Sequence, residues 1–105
     1  MESLAVIRAL GALAQEHRLA VFRMLVEAGP NGIPAGQLAE RAGLAPSSMS
    51  FHLAQLVTAG LAKQMRQGRS IFYAADYLTM QGLIGFLTDN CCGEDAAACF
   101  GGTPS

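Results

Sequence analysis

LAPSSMSFHLAQLVTAGL, the sequence of residues 44–61, predicts an amphipathic helix whose outer side carries no charge. The apolar residues that recur at helical spacing, and so predict a core-facing side, are Met49, Leu53, Leu56 and Val57. The residues on the opposite side are Ser47, Ser48, Phe51, Gln55 and Thr58. Because a solvated helix side normally carries Lys and Glu, this uncharged side favours contact with another surface, nucleic acid first. An ordinary, weakly polar helix side remains the alternative.

The segments on either side of this helix complete a larger motif. Upstream, GQLAERAG predicts a short helix that ends at Gly43, and Pro46 suits the first position of the helix that follows. Downstream, LAKQMR and RSIFYA predict two strands joined by a turn at Gln67-Gly68, which form a wing. Residues 44–74 therefore predict a winged helix-turn-helix.

The basic side chains are concentrated in the middle of the chain. The formal net charge is −1, yet residues 41–75 hold four of the seven basic residues and no acidic residue. Because phosphate contacts dominate affinity for nucleic acid, this segment fits a DNA-facing surface in spite of the overall charge. Lys63, Arg66 and Arg69 belong to the wing, where they can reach phosphates or a minor groove. Charges that are merely solvated at a hairpin tip are the alternative.

A more specific run lies inside the motif: Ser50, His52, Leu53, Leu56 and Ala59-Gly60-Leu61. This run resembles the arsenic repressor (ArsR/SmtB) family of metal-responsive bacterial regulators, and the resemblance extends over about residues 4–90. It implies a mainly α fold with a small β-hairpin, a winged helix-turn-helix that dimerises through its first and last helices. It also implies a homodimer that binds double-stranded operator DNA as a transcriptional repressor.

The predicted DNA-binding residues are Ser47, Ser48, Ser50, Phe51, His52, Gln55, Lys63, Arg66 and Arg69. For His52, the resemblance implies a DNA-facing or helix-bracing role, and a half-buried, hydrogen-bonded ring is an equal alternative. Phe51 departs from the family, which usually has a polar or charged side chain at this position. For His17, a helix-start or surface role is preferred to a ligand role.

The outer helices carry more apolar surface than one small core needs. Predicted helices cover residues 2–14, 15–28, 37–42 and 76–90, and the second has an apolar stripe made of Leu19, Phe22, Leu25 and Val26. The first helix is apolar on two sides and the last is apolar nearly all round, which predicts burial against a second copy. The predicted dimer residues are Leu4, Ile7, Leu10, Met80, Leu83, Ile84 and Leu87.

All three cysteines follow the predicted last helix, at Cys91, Cys92 and Cys99. The domain prediction is therefore a winged-helix domain at residues 1–90 and a cysteine-containing tail at residues 91–105. Three thiolates suit a soft, three-coordinate ion, As(III) or Sb(III) first and mercury, lead or monovalent copper next. Some arsenic-responsive members of the family have such a cysteine pair and a later cysteine here. The family's other sites are missing, because Gly36–Glu40 has no cysteine and no histidine follows His52.

The resulting prediction is a repressor that As(III), possibly Sb(III), releases from its operator, without an organic cofactor. A thiol redox or persulfide sensor, a sensor of another soft metal and a thiol-rich metalloid buffer are the alternatives. No catalytic constellation is present, so an enzyme is not expected. The uncharged, largely apolar run at residues 77–88 is too short to cross a membrane, and no leader pattern opens the chain. A cytoplasmic location is the expectation.

Overall fold

Five helices and a three-stranded antiparallel sheet make up residues 1–91 and 93, the part of the chain that the computed structural model describes. The elements in chain order are α1 (Ser3–Leu13), α2 (Glu16–Ala28), β1 (Ile33–Pro34), α3 (Ala35–Ala42), α4 (Pro46–Thr58), β2 (Ala62–Gln67), β3 (Ser70–Ala75) and α5 (Tyr77–Thr88). The strand order in the sheet is β1-β3-β2. This architecture confirms the predicted mainly α winged helix-turn-helix with a small hairpin, to which β1 adds a third strand.

Local sequence explains where the helices begin and end. The side chain of Gln15 accepts a hydrogen bond from the backbone N–H of Arg18 (2.8 Å), and that of Asp76 accepts one from Thr79 (3.1 Å), so both residues cap the helix that follows. After α3, Gly43 adopts the left-handed conformation (φ 68°), which a residue without a Cβ reaches at little cost. Pro46 then opens α4, as predicted.

The core packs around the apolar side of α4. Met49, Leu53 and Leu56 are at most 1% exposed, and the buried residues around them are Val21, Leu25, Leu38 and Leu61. The predicted core-facing side of α4 is therefore confirmed. Because these three residues fix the rotation of α4 about its axis, its uncharged side is held towards solvent.

The core-facing side of α2 differs from the predicted stripe. Leu19 is 48% exposed, whereas Val21 is fully buried beside Phe22 and Leu25. At about 100° per residue, Leu19 lies about 120° around the helix from Leu25, outside the buried side. The prediction of Leu19 as a core residue is wrong, because α2 has two neighbouring apolar rows and the core buries the row that contains Val21.

The wing is a β-hairpin whose two strands are joined by a two-residue turn. Gln67 pairs with Ser70 and Arg66 with Ile71, so the turn consists of Gly68 and Arg69, one residue later than predicted. Gly68 has a φ of 62°, the left-handed conformation that tight hairpin turns require and that glycine adopts most easily. Arg69 therefore lies in the turn itself and does not flank it.

The two outer helices expose large apolar side chains. On α1 the exposed residues are Leu4, Ile7 and Leu10, and on α5 they are Leu78, Ile84, Phe86 and Leu87. Leu83 is only 6% exposed, and Met80 is half-buried against the same core. The assignment of Leu83 to a dimer contact is therefore corrected, because the chain's own core already buries this side chain. Among the described residues, no helix is long and apolar enough to span a membrane.

Candidate nucleic-acid interface

The outward side of α4 presents the side chains that were predicted to contact DNA. Phe51 is 57% exposed, and the exposed polar residues beside it are Ser47, Ser48, Ser50, Gln55 and Thr58. Hydroxyls and an amide can bond to phosphates or base edges, and an aromatic ring can contact a thymine methyl group. The structure thus places these residues on one accessible helix side, and their contact with bases stays a prediction.

The wing adds positive charge. Arg66 and Arg69 are exposed, and within residues 1–91 and 93 neither forms an ion pair. Strand alternation puts Arg66 on the sheet face that carries the buried Ala62, whereas Lys63 lies on the opposite face. Arg66 and Arg69 therefore both lie near the tip of the hairpin, whereas Lys63 lies nearer its base and on the face opposite to Arg66.

His52 lies half-buried at the edge of this helix side. Its ring centroid is 5.7 Å from that of His17, in a tilted arrangement, and 5.7 Å from that of Phe51, edge to face. Its Nδ1 is buried and, among the described residues, has no hydrogen-bond partner. Burial lowers the pKa of His52 below 6.5, and the charges of Arg18 and His17 lower it further. The ring is therefore mainly neutral at pH 7, and the hydrogen-bonded alternative does not hold for Nδ1.

The proximity of His17 and His52 is a feature that the sequence did not predict. The two residues are far apart in the chain, and the packing of α2 against α4 brings their rings together. Arg18 is fixed at the same place, because its Nε donates a hydrogen bond to the carbonyl oxygen of Ala12 (2.8 Å). The only available signal was the polar start of α2, which does not identify its partner helix.

The cysteine prediction falls mostly outside the described residues. Cys91 is half-buried just after α5, and its backbone N–H donates a hydrogen bond to the carbonyl oxygen of Thr88 (3.0 Å). Cys92 and Cys99 are not among the described residues. Within residues 1–91 and 93, no three His, Cys, Asp or Glu side chains form a group that would hold a metal ion. The site of three thiolates therefore stays a prediction.

Comparisons with known proteins agree with this geometry. A helix-turn-helix domain family matches residues 13–64, from the end of α1 into β2. Among solved structures, the chain is similar to HlyU from Vibrio cholerae, with 30% identity, a TM-score of 0.68 and coverage of 88% of this chain and 99% of that one. No significant match is found among curated proteins.

Two further solved structures share the fold. An ArsR-like transcriptional regulator from Rhodococcus sp. RHA1 has 23% identity and a TM-score of 0.75, with coverage of 91% of this chain and 88% of that one. A homodimeric winged helix-turn-helix DNA-binding domain from Mycobacterium bovis, a possible ArsR-family regulator, has 24% identity and a TM-score of 0.65, with coverage of 83% and 81%.

Proposed function

Because the chain belongs to the ArsR-type family of winged helix-turn-helix transcriptional regulators, we propose that it is a homodimeric repressor that As(III) releases from its operator. The observation that carries the DNA-binding part is the uncharged, exposed side of α4, together with two wing arginines that form no ion pair within residues 1–91 and 93. Base edges are read by side chains such as Ser47 and Gln55, and Arg66 and Arg69 supply the sequence-independent attraction to phosphates.

A homodimer accounts for the exposed apolar surface. Ile7 is 64% exposed on α1 and Leu78 is 82% exposed on α5, and monomers rarely leave such neighbouring apolar helix sides in water. The homodimeric relative from Mycobacterium bovis supports the same assembly. In a two-fold dimer, α1 and α5 pack against their mates, and the two α4 helices face half-sites about 34–36 Å apart.

The proposed inducer site lies at the far end of α5 from its cap at Asp76. Three thiolates from Cys91, Cys92 and Cys99 would hold As(III), because soft thiolate sulfur favours this ion and three ligands match its coordination. Such a site would adjoin the end of α5, one of the two helices proposed to form the dimer, so ion binding there could change how α5 packs. The residues 91–105 then form the sensing tail, and residues 1–90 the DNA-binding and dimerisation domain.

Two hydrogen bonds join the start of α5 to the helices beside it, one just after α4 and one on α2. The backbone N–H of Asp76 donates to the carbonyl oxygen of Leu61, just after α4 (2.8 Å), and the hydroxyl of Tyr77 donates to the carbonyl oxygen of Val26 on α2 (3.2 Å). A shift of α5 within the dimer would therefore move α4. As(III) weakens DNA binding only if it favours a dimer geometry in which the two α4 helices no longer match the half-sites.

The test is a mobility-shift titration of the full-length protein on DNA upstream of its own gene, with and without arsenite. Cys91→Ser removes a thiolate with almost no change in volume, so this variant should bind DNA like the wild type and stay bound in arsenite. Asn90→Gly is the matched control, because it keeps every thiol and suits the left-handed backbone at this position (φ 55°). It should be released at the wild-type arsenite concentration.

The same titration separates the proposal from its alternatives. Release by peroxide but not by arsenite would favour a redox sensor, and a chain that binds arsenite but not DNA would favour a metalloid buffer. X-ray absorption should show only sulfur around arsenic, with about three ligands. If Cys91→Ser, Cys92→Ser and Cys99→Ser are all released at the wild-type arsenite concentration, the tail is not the sensor.

A further inference from the structure

A cleft of about 380 Å³ opens between α1, the start of α2 and the end of α4. Arg8 and Arg18 line one part of it, and Gln55 and Thr58 of α4 line another. Its volume lies within the range of about 300–1,000 Å³ that is typical of small-molecule sites. Among the residues that the structure describes, no carboxylate lines the cleft, so the charged side chains of this lining are all positive.

Small residues keep this cleft open. Gly11 and Ala12 on α1 and Ala59 after α4 line it between the longer polar side chains. A Cβ added at Gly11 would have no heavy atom within 4 Å apart from its chain neighbours and its own helix backbone, which shows that the space beside this residue is open. Within one protomer, the α1 side of the cleft is therefore not blocked at Gly11.

Arg18 is preorganised for an anion, and Arg8 has no competing partner in the part of the chain that the structure describes. Arg18 is held in place because its Nε donates a hydrogen bond to the carbonyl oxygen of Ala12, which leaves both terminal guanidinium nitrogens available. Within residues 1–91 and 93, Arg8 forms neither an ion pair nor a side-chain hydrogen bond. Guanidinium groups bind carboxylates and phosphates with two parallel hydrogen bonds, and a group fixed beforehand loses less entropy on binding.

We propose that this cleft is a binding site for a small organic anion that carries carboxylate or phosphate groups, held between Arg8 and Arg18. Gln55 and Thr58 offer an amide and a hydroxyl to the remaining polar atoms of the anion. The site is separate from the cysteine tail, so the proposal does not depend on arsenite sensing.

Occupation of the cleft has a consequence for DNA binding, and this consequence alone rests on the proposed function. Gln55 and Thr58 belong to the outward side of α4. An anion bound beside them adds negative charge close to the DNA-facing side and covers two of its polar groups. Operator affinity should therefore fall in the presence of the anion, at a constant ionic strength.

The test is a titration of the full-length protein with succinate and with citrate, followed by the backbone amide signals in two-dimensional NMR. In the wild type, the signals of Gly11, Ala12, Thr58 and Ala59 should shift and saturate, whereas neutral succinamide should shift none of them. Arg8→Gln should weaken binding about ten-fold, which corresponds to the loss of one charge-assisted contact. Arg23→Gln is the control with the same change in charge, since Arg23 is exposed on α2 and does not line the cleft.

Several results would overturn the proposal. The absence of saturable shifts with both succinate and citrate would remove the site. Equal weakening by Arg8→Gln and Arg23→Gln would reduce the effect to general attraction by net charge. If Arg8→Gln lowers DNA affinity and its salt dependence while no anion binds the free protein, Arg8 contacts operator phosphate and the cleft is not a ligand site. No outcome of the NMR titration depends on DNA or on arsenite, so it fails or succeeds independently of the proposed function.

Discussion

The wing is the part of the interface whose contribution can be calculated most directly. Arg69 lies in the two-residue turn, and Arg66 lies on β2 two residues before the turn begins. Both side chains are exposed, and neither forms an ion pair in the described part of the chain. Replacing both by alanine removes two positive charges and leaves no acidic partner unpaired. The fold should therefore be unaffected, and the loss should appear only in DNA affinity.

The expected magnitude follows from counter-ion release. With one phosphate contact per arginine, a dimer loses four contacts, and each contact contributes about 0.9 to the slope of log K against log salt concentration. The slope should therefore become shallower by about 3.6. Between about 50 mM and about 200 mM salt, the wild-type affinity should fall roughly 100-fold more than that of the double variant.

The assay is fluorescence anisotropy on operator DNA and on unrelated DNA at a series of salt concentrations. Arg66→Ala and Arg69→Ala should each give about half of the change in slope on both DNAs, because phosphate contacts carry no sequence information. Arg23→Ala, the exposed control on α2, should leave the slope unchanged. A double variant with the wild-type slope would refute the reasoning and remove the wing from the interface.

Other outcomes follow from individual side chains. Ser47→Ala and Gln55→Ala should each cost about 1–3 kcal/mol on operator DNA and little on unrelated DNA, as measured by competition; equal losses on both would make this side of α4 a positioning surface. Ile84→Glu should dissociate the dimer in sedimentation, whereas Leu83→Ala should lower the free energy of unfolding by about 2–5 kcal/mol; a wild-type monomer at micromolar concentration would contradict the assembly. Because the pKa of His52 is lower in the folded chain, the unfolded chain takes up a proton at this residue at a higher pH than the folded chain does. The free energy of unfolding, measured in urea, should therefore fall as the pH drops from 7 through 6.5, and His52→Gln should remove this part of the fall.

Most of the candidate DNA interface could be predicted from patterns among residues that are close in the sequence. The apolar spacing in α4 identified both its core-facing side and its exposed side, because a helix puts residues three and four apart on one side whatever packs against it. Gly43 and Pro46 marked the turn between α3 and α4, and the alternating strands marked the wing. Each of these features depends on residues that are neighbours in the chain.

Only the tertiary structure decided which apolar surface the chain buries itself. Periodicity gave two apolar rows on α2 and an apolar surface nearly all round α5, and it does not say which row meets the chain's own core. Packing selected Val21 over Leu19 and placed Leu83 inside, while it left Ile84 exposed. That choice depends on the shape of the other helices, which no local pattern contains.

The sequence by itself determined the winged helix-turn-helix, the uncharged side of α4 and the basic wing, because helix and strand periods, caps and turns are local properties. The tertiary structure alone decided that His17 meets His52 and that Arg8 and Arg18 share a cleft with Gln55. These groups come from different helices, and their distances are set by how side chains of α1, α2 and α4 fill the space between the helices.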